Sequence, residues 1–252
     1  MTNTHTLNKL EQRDRELETA RAALARLSYA ISHEINSPIN TLNQLLDLFD
    51  DEQRARLDNE GQESLNMILA GARRCQAVAR GLEGYSTSTR AVRNEDLGCV
   101  SCEDVVSDVL QALAPQIARS LATVDVSELP IINTAQRSLT AILTQFVANA
   151  LKFSEKNNAT PTILIRATTN EDGVEITVAD NGIGVKTGKE DLIFDLFTKL
   201  NNKSDYEGAG LGLPMCLQMA AGLGGRVWVT HGETAGAVFH LFLPQIQGAD
   251  LG

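Results

Sequence analysis

The sequence predicts a multidomain α and α+β chain: an N-terminal antiparallel helical hairpin followed by a layer of helices on a mixed sheet. Three observations carry this. Apolar residues recur at spacings of three and four over Leu7 to about Phe49 and again over Leu65–Leu82, the period of amphipathic helices. From Leu97 onward short strand-like and helix-like segments alternate. Residues 181–210 are rich in glycine and charge with one short apolar patch, the texture of a long functional loop inside a compact domain.

The first helix opens on a heptad-like seam, Leu10, Leu17 and Leu24, suited to entering a helical dimer. It continues through Ile31, Ile35, Ile39, Leu42, Leu45, Leu46 and Phe49, and Asp58-Asn59-Glu60-Gly61 reads as the turn that ends the connection. Leu65, Ile68, Leu69, Ala72, Cys75, Val78 and Leu82 stripe the second helix. A lone hairpin cannot bury both stripes, so pairing with a second copy into a four-helix bundle is expected. Periodicity vanishes over Gly84–Arg90, the expected linker. The predicted organisation is 1–27 tail and coiled-coil-like entry, 28–85 hairpin, 86–94 linker, 95–246 second domain and 247–252 tail.

In the second domain the expected order is as follows. A strand near Leu97–Val100 leads to a helix from Glu103 to Arg119 with Ser101 as N-cap. Strand-like pieces follow at Ala122–Val126 and Ile131–Ile132, then a helix capped by Thr134 and running to Phe153. Strands Thr162–Thr168 and Val174–Ala179, a helix Leu211–Ala221, and strands Arg226–Thr230 and Ala237–Leu243 complete it.

Bulk composition narrows the function classes. With 252 residues the chain is long enough for real cores, and 43% hydrophobic with 21% charged residues is ordinary for a soluble protein. A formal charge of −10 argues against nucleic acid and anionic membrane surfaces as principal partners. No apolar run approaches a transmembrane span, and no signal peptide opens the sequence, so no direct membrane insertion and a cytoplasmic location are expected. Cys75, Cys99, Cys102 and Cys216 are too scattered for a disulfide framework, and the single Cys99–Cys102 pair offers half a zinc site, so incidental buried cysteines are expected there.

Four segments carry chemistry. In Ser32-His33-Glu34-Ile35-Asn36-Ser37-Pro38 the residues His33, Asn36 and Ser37 share one helical face, and Glu34 can reach the imidazole. Pro38 deprives the Glu34 carbonyl of its helical partner. In the helix ending at Phe153, Gln145, Asn149 and Lys152 share a face; a carboxamide oxygen suits Mg²⁺, and a lysine suits the phosphates that Mg²⁺ accompanies. Asp180-Asn181-Gly182-Ile183-Gly184 places an acceptor at a strand end, with Gly182 and Gly184 allowing backbone to approach a flat ring, although it is also a good turn sequence. Gly208-Ala209-Gly210-Leu211-Gly212-Leu213 opens a helix with bare N–H groups facing any phosphate.

Taken in order, these segments resemble the catalytic core of bacterial sensor histidine kinases of two-component systems, over about residues 25 to 244. Ser32–Pro38 resembles the H-box, Asn149–Ser154 the N-box, Asp180–Gly184 the first glycine box, Ile193-Phe194-Asp195-Leu196-Phe197 the F-box and Gly208–Leu213 the second glycine box. Gly224–Val229 is similar to the strand that follows the family's lid. The resemblance implies a dimerisation and phosphotransfer hairpin followed by a Bergerat-type α/β sandwich that binds ATP and Mg²⁺. It implies His33 as phosphoacceptor, Glu34 as the group that orients its imidazole, and Ser37 at the position associated with dephosphorylating the partner regulator. It implies Asn149 as the Mg²⁺ ligand, Lys152 and Lys199 as phosphate contacts, and Asp180 as the adenine acceptor. Gly182, Gly184, Gly208, Gly210, Leu211 and Gly212 would complete the nucleotide site. The implied partners are a second copy, the receiver domain of a response regulator, and a separate sensor or activator. One departure stands out: Gln145 occupies the place of the family's first N-box asparagine.

Overall fold

A computed structural model describes residues 19, 23, 30–31, 34–42, 44–45, 56–154, 160–198, 210–232 and 235–245. The heptad-like seam, His33, Lys199, Gly208 and the C-terminal tail lie outside the described residues. The chain falls into two compact units: residues 1–89 with 207–209, and 90–206 with 210–252.

In the first unit residues 34–42 are helical. Helix α1 spans Asn59–Asn94. The expected turn at Asp58 is instead its start: Asp58 Oδ1 accepts from the Gly61 N–H at 2.8 Å, and the Asp58 carbonyl accepts from the Gln62 N–H at 2.9 Å. An aspartate serves turns and N-caps by the same chemistry, so the two are hard to separate in sequence. Nor does the helix stop at the expected linker, since it continues through residues 86–94. That stretch contains neither glycine nor proline. An established helix gains a hydrogen bond with each added residue, whereas serine and threonine oppose it by only a few tenths of a kcal/mol each.

The second unit holds two sheets. Strands β1 (Gly98–Ser101) and β3 (Ile131–Thr134) form an antiparallel pair. Strands β2 (Thr123–Val126), β4 (Thr162–Thr169), β5 (Gly173–Asp180), β7 (Ala237–Pro244) and β6 (Arg226–His231) form a mixed sheet in that spatial order, parallel only between β2 and β4. The expected 103–119 helix is two: α2 (Cys102–Ala112), capped by Ser101 as expected, and α3 (Ala114–Ser120), which starts afresh at Leu113 with Pro115 in its first turn. Helix α4 spans Gln136–Ser154 and α5 spans Gly212–Gly222. No described helix is long and apolar enough to cross a membrane.

The core lies between α4 and one face of the five-stranded sheet. Leu139, Ile142, Leu143 and Phe146 of α4 are buried with Ile163 and Ile165 of β4, Ile176 and Val178 of β5, and Phe239 and Leu241 of β7. The Phe146 and Phe239 rings meet with centroids 5.3 Å apart. Burial alternates residue by residue along β5 and β7, as a strand covered on one face requires. Each such side chain contributes about 1.5–3 kcal/mol by leaving water. Helix α4 packs across the sheet, and the loop that follows β5 lies beside its C-terminus.

Candidate functional site

Helix α4 turns its apolar residues to the core and leaves Gln145, Asn149 and Lys152 half-buried on an adjoining face. The Lys152 ammonium lies 5.3 Å from the Phe153 ring centroid, in the last turn, where the helix dipole favours a cation. Asp180 ends β5 and is buried, with 8% of its surface exposed. Its Oδ1 accepts from the Gly182 N–H at 2.8 Å and the Ala237 N–H at 3.2 Å; Oδ2 takes part in neither bond. Burial pushes the Asp180 carboxyl up from its ordinary value, and the two backbone N–H groups pull it part of the way back. Asn181 ties the same loop to the sheet: its Oδ1 accepts from the Thr162 N–H and its Nδ2 donates to the Thr160 carbonyl, both at 2.9 Å.

Two glycines here are required by close approach within the protein. A Cβ at Gly182 would stand 2.6 Å from the Phe153 carbonyl oxygen, the same oxygen that accepts from the Ile183 N–H at 3.3 Å. The loop after Asp180 is therefore seated on the C-terminus of α4. Gly236 has φ +78°, and a Cβ there would overlap the Asp180 carbonyl oxygen. The expected reason for Gly182, room for a flat ring, thus has an intramolecular counterpart that the sequence did not reveal.

The second glycine segment also meets α4. A Cβ at Gly212 would overlap Gln145 Oε1, so the Gln145 carboxamide rests on the first turn of α5. The Gly210 carbonyl accepts from the Phe197 N–H at 3.0 Å. Leu211, buried, precedes α5, and no side chain caps the helix N-terminus. Its first N–H groups are the kind that attract phosphate.

The structure thus brings Asp180 and Gly182 to the C-terminal end of α4, Gly184 against Gly236, and Gly212 to Gln145 on the polar face of α4. Glu34 and Ser37 are exposed on the helical residues 34–42, where the Ser37 carbonyl accepts from the Thr41 hydroxyl at 3.2 Å. Sequence reasoning missed Gly236 and Ala237, which contribute a close backbone contact and a backbone N–H to Asp180. The one signal was a pair of glycines, Gly232 and Gly236, before the last strand. The expectation of buried cysteines holds for Cys102, whose free thiol burial pushes up to about 11, away from reactivity, but not for Cys99, which is free and exposed on the short strand β1.

Among the described residues no group of three or more His, Cys, Asp or Glu side chains could hold a metal ion. The half-buried Asn149 fits Mg²⁺ as one hard oxygen ligand, the remainder being water and phosphate.

Residues 134–247 match the family described as histidine kinase-, DNA gyrase B-, and HSP90-like ATPase. The chain is similar to phytochrome-like protein Cph1 of Synechocystis sp., 26% identical over 236 residues, covering 94% of this chain and 31% of that protein. It is similar to sensor-type histidine kinase PrrB of Mycobacterium tuberculosis, 25% identical over 238 residues, covering 94% of this chain and 52% of that one. It therefore spans about a third of the first relative and about half of the second. The crystal structure of full-length ShkA in complex with AMPPNP matches with a TM-score of 0.65 at 24% identity, over 90% of this chain and 48% of that one, a likeness of fold. Residues 134–247 thus match the model of the histidine kinase-, DNA gyrase B-, and HSP90-like ATPase family, and most of the chain is similar to a phytochrome-like protein and to a sensor-type histidine kinase.

Proposed function

We propose that this chain is the core of a cytoplasmic, ATP- and Mg²⁺-dependent histidine autokinase. The observation that carries the reading is Asp180. A buried carboxylate is costly, and here one oxygen is fixed by two backbone N–H groups, which leaves the other to accept from the exocyclic amine of adenine. The triphosphate would then run along the polar face of α4 toward the N-terminus of α5, with Lys152, Lys199 and the N–H groups after Gly210 neutralising charge. Asn149 would hold Mg²⁺, which would supply positive charge to offset that of the phosphates.

In the transfer step the Nε2 lone pair of His33 forms the bond to the γ-phosphorus as the bond to the bridging oxygen breaks and ADP departs. Glu34 accepts from Nδ1–H and keeps Nε2 unprotonated before attack. The phosphoryl group then passes to a response-regulator aspartate. The hairpin would assemble with a second copy, and Ser37 would orient the water that dephosphorylates the regulator.

A non-catalytic phosphotransfer scaffold would keep the fold without binding nucleotide. Thermal unfolding with MgATP separates the two. A ligand at 100 times its dissociation constant stabilises the folded state by about 2.7 kcal/mol, a rise of several degrees. We expect that rise; an unchanged melting temperature at millimolar MgATP would favour the scaffold.

A further inference from the structure

Helix α4 has no cap from its own segment. The residue before it, Ala135, is fully buried and offers no side-chain acceptor, Thr134 belongs to β3, and no acidic residue sits in the first turn. The acceptors come from Glu95 instead. Its Oε1 accepts from the Arg137 N–H at 2.5 Å and its Oε2 from the Ser138 hydroxyl at 2.8 Å, with Ser138 itself 2% exposed. Such bonds satisfy orphan donors at a helix start, and a carboxylate there also meets the positive end of the dipole. At the other end of α4, the Phe153 carbonyl accepts from Ile183 and abuts Gly182 in the Asp180 loop.

Helix α4 is therefore held at both ends, and Gln145, Asn149 and Lys152 lie between the two holds. We infer that Glu95 is a positioning residue that sets where α4 sits lengthwise against the Asp180 loop, and so where Asn149 and Lys152 stand relative to the base acceptor. The inference rests on the reading of Asn149 and Lys152 as contacts to Mg²⁺ and phosphate. Glu95 is also the first residue after α1, which ends at Asn94.

A cap of purely local effect would protect only the first turn. The full chain is compared with Glu95→Ala, Glu95→Gln and Ser138→Ala by amide hydrogen exchange over residues 136–154 and by titration with MgATP and with adenosine. For Glu95→Ala we expect protection to fall on the order of tenfold as far as residues 145–152. MgATP affinity should fall by a similar factor, with adenosine affinity nearly unchanged. Glu95→Gln keeps an acceptor and should lie between, and Ser138→Ala, which loses one bond of two, should be milder than Glu95→Ala. Exchange confined to residues 136–139 with MgATP affinity unchanged would overturn the inference. If Glu95→Ala does not fold, the two milder variants decide by the same criteria. The exchange pattern needs neither nucleotide nor transfer, so a wild type that binds no MgATP would sink the kinase reading and leave the test of Glu95 standing.

Discussion

Asp180→Asn is expected to lower ATP affinity by about 10²- to 10³-fold while the protein without nucleotide melts no lower than wild type. The two halves have one cause. Asparagine keeps the shape and can still accept from Gly182 and Ala237 through its oxygen. Its Nδ2 then occupies the place of Oδ2 and turns a donor toward the donor of adenine. Loss of a charge-assisted hydrogen bond, with a donor left facing a donor, costs about 3–4 kcal/mol in a buried site. The folded protein without nucleotide meanwhile no longer buries a charge that burial disfavours. Calorimetric titration beside thermal unfolding reads both. ATP binding within threefold of wild type would remove Asp180 from the site.

Asn149→Asp is expected to slow autophosphorylation by about 10³-fold or more at saturating ATP. The change is isosteric, so packing of α4 should survive. What changes is charge: a carboxylate about 5 Å from a phosphate oxygen is opposed by roughly 3 kcal/mol at an effective dielectric of 20. The carboxamide N–H donor is lost as well. Initial rates of phosphoenzyme formation check this, and near-normal rates would take Asn149 out of the metal site.

How much of this was legible depended on whether the signal lay in one segment or between segments. The strands around Asp180 and the core face of α4 could be read because burial imposes a period on contiguous residues: alternation in β5 and β7, spacings of three and four from Leu139 to Leu151. Asp180 itself could be read because an aspartate before two glycines at a strand end is a local pattern. Its second hydrogen bond could not, because the Ala237 N–H is a backbone group with no residue signature, 57 positions away.

The start of α4 failed for the same reason. A threonine beside the helix was the obvious local cap, while the actual acceptor, Glu95, comes from 42 residues earlier. The continuation of α1 through 86–94 was hidden in another way. A Ser/Thr-rich stretch with no apolar stripe carries no burial signal, yet a helix already formed needs none to persist.

The central claim is transfer from ATP to one histidine, and the most direct measurement is incubation with γ-labelled ATP and Mg²⁺, wild type beside His33→Gln. The account predicts an acid-labile, alkali-stable label on the wild type and none on the variant. Equal label on both proteins would contradict it by placing the acceptor elsewhere in the chain.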